Sequence, residues 1–175
     1  MICSDGVSDY QPDDALRALV EDGFRILKVG PELTFALREA LFALDLIASD
    51  LVPGYGDRPL MRAMEGVMLD QPGHWRGHYP ATGDEARLMR HYSLSDRIRY
   101  YWPSTPAQDA VDRLTNALSG RKIPPQLFWQ HLPGAVHFAD QPADVDEIII
   151  HRVGHILNRY HTACNEPAPK ERPNA

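Results

Sequence analysis

The chain has 175 residues, 43% of them hydrophobic and 24% charged, and its formal net charge is −6. These values are typical of one globular domain and argue against a dedicated nucleic-acid-binding protein, because such proteins usually carry a basic excess that neutralises phosphates. Two cysteines are too few for a disulfide framework, which favours a cytoplasmic protein. The longest apolar stretch, residues 41–47, is interrupted by Asp45 and is too short to span a membrane.

The first part of the chain has an α/β pattern. Residues 12–21 predict a short helix, residues 24–29 (FRILKV) predict a strand, and residues 32–51 predict a long helix with apolar residues at helical spacing. A lone strand cannot form a sheet, and its bare edges would seek partners. Either other strands are hidden in the sequence, or the chain is part of a larger sheet.

After Val52 the sequence predicts a helical region with many loops. The predicted helices span residues 60–70, 84–92, 106–119 and 144–164, with a proline-bounded connector at 123–133. The tail is polar and proline-rich, so we expect it to be disordered. The predicted units are residues 1–50, residues 51–164 and a tail of residues 165–175.

The segment KVGPEL, residues 28–33, is a candidate phosphate site. A strand that ends in glycine and opens a helix with proline aims backbone N–H groups at the space above the strand, and such an end can bind phosphate. This makes Lys28 and Gly30 candidate binding residues, although an ordinary strand-to-helix turn binds nothing and stays the alternative. The sequence contains no Walker-type loop, dinucleotide fingerprint or nucleophile elbow, so we assign no catalytic residue.

The eight histidines raise the question of a metal site. His151 and His155 are spaced i, i+4 on the last predicted helix, but they lie opposite its apolar stripe. Two ligands are also one or two short of a zinc site. A solvated helix face explains both histidines, and we assign no metal ligand.

The stretch DRIRYYWP, residues 96–103, concentrates arginines and aromatic residues. A nucleic-acid patch, a substrate anion site and a structural or partner-binding anchor are the competing interpretations. The acidity of the chain argues against nucleic acid, whereas Trp, Tyr and Arg are enriched at the centres of interfaces. We favour an anchor that holds the helical region against the α/β part, with partner contact second. The residues of this candidate anchor are Asp96, Arg97, Arg99, Tyr100, Tyr101 and Trp102, and a pairing of Asp96 with one of these arginines stays open.

The segment RHYSLSDRIRYYWP, residues 90–103, also carries a family resemblance. It resembles a motif of the non-catalytic subunit of class II D-tagatose-1,6-bisphosphate aldolase, and residues 9–44, 65–75 and 123–133 are similar to that family in the same order. Members are (β/α)8 barrels a little over twice this length, with a helical C-terminal extension. The resemblance therefore implies an α/β fold in which residues 1–50 are the C-terminal piece of a TIM barrel, with the eighth strand near residues 24–30, followed by a mostly helical extension.

The resemblance also implies a function. The chain would be an accessory subunit of the catalytic aldolase in galactitol, N-acetylgalactosamine and tagatose catabolism, without a cofactor of its own, because zinc would belong to the catalytic partner. Asp9 and Gln11 match the family's Asp-Tyr-Gln motif and become candidate substrate residues, but the family's preceding glutamate and histidine have no clear counterparts here. A metal-dependent ketose-phosphate 4-epimerase and an inactive fragment stay open as alternatives. We expect no nucleic-acid or membrane partner, and a homo-oligomer stays open.

Overall fold

The computed structural model describes residues 8–165, and this part of the chain is predominantly helical. Three short 3₁₀ turns, at Pro72–His74, Arg97–Tyr100 and Pro133–Phe138, connect the longer helices. The α-helices of the described residues are α1 (Asp13–Glu21), α2 (Pro31–Leu51), α3 (Pro59–Asp70), α4 (Gly83–Tyr92), α5 (Thr105–Leu118), α6 (Pro125–His131) and α7 (Val145–Asn165).

The predicted barrel strand is wrong, and with it the assignment of the fold as an α/β TIM-barrel fragment. Residues 24–27 adopt no regular secondary structure, and residues 8–165 contain no strand or sheet; the bridge between Lys122 and Pro142 is isolated. A strand is stable where neighbouring strands satisfy its N–H and C=O groups, and no second strand lies beside this segment within the described residues. Ile26 is accordingly 84% exposed. The helical character predicted for the rest of the chain is confirmed.

Helix α2 is the centre of the main hydrophobic core. It begins with Pro31, whose fixed φ suits the first helical position, and it contacts α3, α5, α6 and α7. Burial on so many sides explains why its sequence is apolar around most of its circumference. The core residues with 3% exposure or less include Leu41, Leu44, Ile47, Leu60, Met64, Leu114, Leu118, Phe128 and Ile148.

A smaller core joins the two ends of the described chain. Leu16 of α1 and Ala36 of α2 pack against Ile156 and Tyr160 of α7. Partly buried Leu27 and Val29 pack against the same cluster. Helix α2 takes part in both cores and ends at Leu51, next to the predicted boundary at residue 50, and the division into units stays a prediction.

Apart from Asn165, the predicted disordered tail lies outside the described residues, and so does Cys3. Cys164 is a free, exposed cysteine on the last turn of α7. Within residues 8–165, no helix has both the length and the hydropathy needed to cross a bilayer.

Candidate functional site

The N-terminus of α2 is where the structure brings two of the predicted binding residues together. Asp9 is buried, and its Oδ1 accepts hydrogen bonds from the backbone N–H groups of Gly30 and Glu32, each at 2.9 Å. These N–H groups have no partner within the helix, and a carboxylate is stabilised by the positive end of the helix dipole. The predicted anion position is therefore occupied by a carboxylate of the chain itself.

Glu32 links this helix end to α7. Its carboxylate is 4% exposed and accepts hydrogen bonds from Arg159 Nη1 at 2.8 Å and from the backbone N–H of Tyr10 at 2.8 Å. The Tyr160 hydroxyl lies 2.6 Å from the Ser8 carbonyl oxygen and 3.1 Å from Glu32 Oε2. Burial, together with the nearby charge of Glu32, raises the pKa of Tyr160 to about 12, so its hydroxyl remains a donor at neutral pH.

Arg159 holds the N-terminal segment as well. Its Nε donates to Asp13 Oδ1 at 2.6 Å, and its Nη2 donates to the Gln11 carbonyl. The hydrogen bond to Asp13, followed by the charges of Asp13 and Glu32, raises the pKa of the guanidinium. Three acceptors on one guanidinium fix the relative positions of α1, α2 and α7.

The other two predicted substrate residues take part differently. Lys28 is exposed, and its carbonyl oxygen accepts a hydrogen bond from the Ser8 hydroxyl at 2.6 Å. Gln11 is half-buried and contributes its main-chain carbonyl to Arg159. Binding of a substrate or phosphate by Asp9, Gln11, Lys28 and Gly30 stays a prediction, and an anion at this helix end would have to displace the Asp9 carboxylate.

We expect Asp9→Ala to lower the free energy of unfolding by about 1–2 kcal/mol, because the N–H groups of Gly30 and Glu32 lose the side chain that caps them. Urea unfolding followed by far-ultraviolet circular dichroism measures this change. Gln11→Ala is the matched control, because the mutation keeps the main-chain carbonyl that Arg159 contacts. Equal stability of the two variants would contradict the capping role of Asp9.

The candidate anchor at residues 96–102 has a buried and an exposed part. Asp96 has a fully buried side chain, and its Oδ1 lies 3.0 Å from Nε of Arg38, whose side chain is 2% exposed. Ile98 and Tyr101 lie in the main core, and the Tyr101 hydroxyl donates to the Gln71 carbonyl at 2.5 Å. Asp96 thus pairs with Arg38 of α2 and not with an arginine of its own segment.

The remaining anchor residues lie nearer the surface. Tyr100 is 44% exposed and stacks on His74 with ring centroids 5.0 Å apart, and Arg99 Nη2 donates to its hydroxyl at 2.9 Å. Arg97 Nη2 donates to His78 Nδ1 at 3.0 Å, and partly buried Trp102 packs against the main core. Contact of this partly exposed aromatic and arginine surface with a partner protein stays a prediction.

Sequence reasoning missed the charged residues that occupy the buried positions. Glu32, Arg38 and Asp45 are buried on α2, and Arg159 is mostly covered on α7. The available signal was a charged residue within an otherwise apolar helical stripe, which is uncommon unless the charge is paired. Within residues 8–165, no group of three or more His, Cys, Asp or Glu side chains is arranged to hold a metal ion.

Comparisons with known proteins identify the family. A family model described as "D-tagatose-1,6-bisphosphate aldolase subunit GatZ/KbaZ-like" matches residues 2–165. A protein of Agrobacterium fabrum named D-tagatose 6-phosphate 4-epimerase is 52% identical over 159 residues, which are 91% of this chain and 37% of that protein.

A solved structure agrees with this assignment. The crystal structure of a probable tagatose 6 phosphate kinase from Sinorhizobium meliloti 1021 matches with a TM-score of 0.82 and 47% identity, over 89% of this chain and 41% of that chain. The chain thus spans less than half the length of the relatives that it matches. The resemblance seen in the sequence is confirmed, and the chain belongs to the D-tagatose-1,6-bisphosphate aldolase subunit GatZ/KbaZ-like family.

Proposed function

We propose that this chain acts as a non-catalytic accessory subunit that supports the activity and stability of the catalytic subunit of class II D-tagatose-1,6-bisphosphate aldolase. The family description as an aldolase subunit supports this role. The partner carries out the zinc-dependent cleavage, and this chain has no cofactor of its own. The two proteins act in the cytoplasm, in the catabolism of galactitol, N-acetylgalactosamine and tagatose.

One structural observation carries the proposal. The polar side chains at the start of α2 are used to hold the chain together, since Asp9 caps the helix and Glu32 accepts from Arg159. Groups committed to such contacts are stabilising in the folded chain and are not free to exchange protons with a substrate. This arrangement favours a supporting role over a catalytic one for these residues.

The partly exposed aromatic and arginine surface at Arg97, Arg99 and Tyr100 is the proposed contact with the catalytic subunit. Tyr and Arg are enriched among the residues that dominate binding energies. Tyr100 stacks on His74, and its hydroxyl accepts a hydrogen bond from Arg99, so little conformational freedom is lost when a partner covers it.

A second function is supported by a specific comparison. The relative from Agrobacterium fabrum, 52% identical over most of this chain, is named as a D-tagatose 6-phosphate 4-epimerase. The second candidate is therefore a part of such an epimerase, which would act on ketose phosphates with residues beyond those described. An inactive fragment is the third candidate.

We expect the catalytic aldolase subunit to co-purify with this chain and to lose activity more slowly on warming when the chain is present. Tyr100→Ala should weaken the complex by about 2 kcal/mol, because truncation of a central interface aromatic typically costs this much. Trp129→Ala is the matched control, because Trp129 is an exposed aromatic residue on α6.

Two results would contradict the proposed accessory role. The first is an aldolase subunit that neither binds the chain nor gains stability from it. The second is epimerisation of D-tagatose 6-phosphate by the chain alone, which would favour the second candidate function. If both assays are negative, the third candidate, an inactive fragment, is what remains.

A further inference from the structure

A cleft between α3 and α4, distant in sequence from the start of α2, has no role in the proposed function. It has a volume of about 430 Å³, which lies within the usual range of small-molecule sites, about 300–1,000 Å³. Its walls come from one face of each helix, because the lining residues recur at spacings of three and four. The lining residues are Asp57, Arg58, Met61, Arg62, Glu65, Arg87 and His91.

Three arginines line this cleft, although the chain as a whole is acidic. Arg58 and Arg62 stand at the start of α3, and Arg87 faces them from α4. Their side chains are 48%, 69% and 49% exposed. Like charges gathered around one cavity repel each other, and an anion between them relieves this repulsion.

The carboxylates near the rim compensate these charges only in part. Asp57 is shared between Arg58, at 3.6 Å, and Arg62. Asp84 lies 3.6 Å from Arg87 but is 95% exposed, where ion pairs contribute little. One well-exposed carboxylate shared by two guanidinium groups leaves hydrogen-bond donors on both for a ligand.

The floor of the cleft is a buried group of charged residues. Arg90 holds Glu65 with two hydrogen bonds, of which that from Nε measures 2.9 Å, and His91 Nε2 lies 2.9 Å from Glu65 Oε2. Burial alone would raise the pKa of Glu65, but the Arg90 hydrogen bond and the charges of His91 and Arg90 lower it overall. The carboxylate therefore stays ionised, and its charge is neutralised by Arg90.

The pKa of His91 depends on the charges around the cleft. Burial lowers the pKa of its imidazole, Glu65 opposes this effect, and the positive charges of Arg87 and Arg90 lower the pKa further. The side chain is 5% exposed and lines the cavity. A bound anion would favour the protonated imidazole and raise its pKa.

Arg58, which lines the cleft, has a strained backbone conformation. Arg58 has φ 48° and ψ 55°, a left-handed conformation that is uncommon for residues other than glycine, asparagine and aspartate. Its N–H donates to the Ser49 hydroxyl at 3.0 Å, which helps to hold it there. Strained residues of this kind cluster at ligand sites.

We propose that this cleft binds the phosphate group of a small phosphorylated molecule, with Arg58, Arg62 and Arg87 as the binding residues. A phosphate monoester offers three acceptor oxygens and a charge between −1 and −2, which suits three guanidinium groups that line one cleft. A carboxylate, with two oxygens and one charge, fits a single arginine fork. A volume of about 430 Å³ lies within the range of small-molecule sites, which favours a small phosphorylated molecule as the ligand.

The test measures binding of inorganic phosphate and of glycerol 3-phosphate to the intact chain by calorimetry, at constant ionic strength set with chloride. We expect Arg62→Gln and Arg87→Gln each to weaken binding about tenfold, because each removes a hydrogen bond from a charged donor. Arg121→Gln is the matched control, because Arg121 is an exposed arginine outside the cleft, and it should bind like the unchanged chain.

Nuclear magnetic resonance gives an independent reading. At one fixed, sub-saturating concentration of glycerol 3-phosphate, the pKa of His91 should rise in the unchanged chain and in Arg121→Gln, and should rise less in Arg87→Gln. Circular dichroism spectra confirm that the variants are folded. Equal affinity of the cleft variants and the control, or a His91 pKa that does not respond to the ligand, would overturn the proposal.

Discussion

Replacement of Asp45 by alanine is expected to destabilise the chain by about 3 kcal/mol, the sum of a lost helix cap and an unpaired buried hydroxyl. Asp45 is 1% exposed in the middle of α2. Its Oδ1 accepts from the Tyr55 hydroxyl at 2.7 Å and from the N–H of Leu60 at 3.2 Å, and its Oδ2 accepts from the N–H of Met61 at 3.0 Å. This one carboxylate thus caps α3 and fixes the loop before it.

The cap on α3 comes from a neighbouring helix. The residue before α3, Arg58, makes no side-chain cap of its own, so Asp45 satisfies N–H groups that would otherwise be buried without partners. Asp45→Asn keeps one acceptor oxygen and should cost less than the alanine variant. Because Asp45 also aligns α2 with α3, we expect Asp45→Ala to lower the cooperativity of unfolding.

Urea unfolding of Asp45→Ala and Asp45→Asn tests this prediction. Asp50→Ala is the matched control, because it removes an aspartate of the same helix whose side chain is 62% exposed, and exposed substitutions usually change stability by less than about 0.5 kcal/mol. A loss for Asp45→Ala no larger than that of Asp50→Ala would show that the cap contributes nothing.

The sequence predicted the long helices because their apolar residues recur at helical spacing. Helices α2, α5 and α7 lie within one or two residues of the predicted ranges, which is the accuracy that helix ends allow. The strand at residues 24–29 failed for a different reason. Apolar, β-prone residues show that a segment could pair, but the pattern does not show whether a partner strand lies beside it.

The candidate sites could be predicted only in part. The turn at KVGPEL made Gly30 a candidate binding residue and the family resemblance made Asp9 one, and the Gly30 N–H lies 2.9 Å from Asp9 Oδ1. The sequence could not place Arg159 at the start of α2. A charged residue on an amphipathic helix is expected to face solvent unless the position of the neighbouring helix is known. The same limit applies to Asp96, for which the sequence suggested an arginine within its own segment, whereas the partner is Arg38 of α2.

The pair of Arg38 and Asp96 is the second interaction for which we expect a large effect. The two side chains are 2% and 0% exposed, with Nε and Oδ1 3.0 Å apart. Burial lowers the pKa of Arg38 and raises that of Asp96, and in both cases the charge of the partner opposes the effect of burial. Removal of one partner from such a pair costs about 3–5 kcal/mol, because the other charge is left buried and uncompensated.

We expect Asp96→Asn to lose about 3–5 kcal/mol in urea unfolding at neutral pH. Asparagine is the informative substitution because Asp96 has φ 47°, a left-handed conformation that asparagine tolerates and alanine does not, so backbone strain stays constant. Asp84→Asn, which removes the carboxylate of an exposed pair, is the control and should be neutral. If the two variants were equally stable, the buried pair would contribute no more than a surface contact.

The reverse variant, Arg38→Met, separates an ion pair from simple packing because its cost should depend on pH. Without the guanidinium, the buried Asp96 carboxyl favours its neutral form, so its pKa in the folded chain lies above the value of about 3.9 in the unfolded chain. The folded state then binds more protons than the unfolded state between these two pKa values, and stability falls as the pH rises through that window. Arg38→Met should therefore be closest to the unchanged chain in mild acid and least stable at neutral pH.

The double variant Arg38→Met with Asp96→Asn removes both charges, so its loss should be smaller than the sum of the single losses by about 1–3 kcal/mol and should no longer depend on pH in this window. Strict additivity, or a cost of Arg38→Met that is the same in mild acid and at neutral pH, would show that Arg38 stabilises the chain through packing on Phe35, whose ring centre lies 4.2 Å from the guanidinium carbon, and not through its charge.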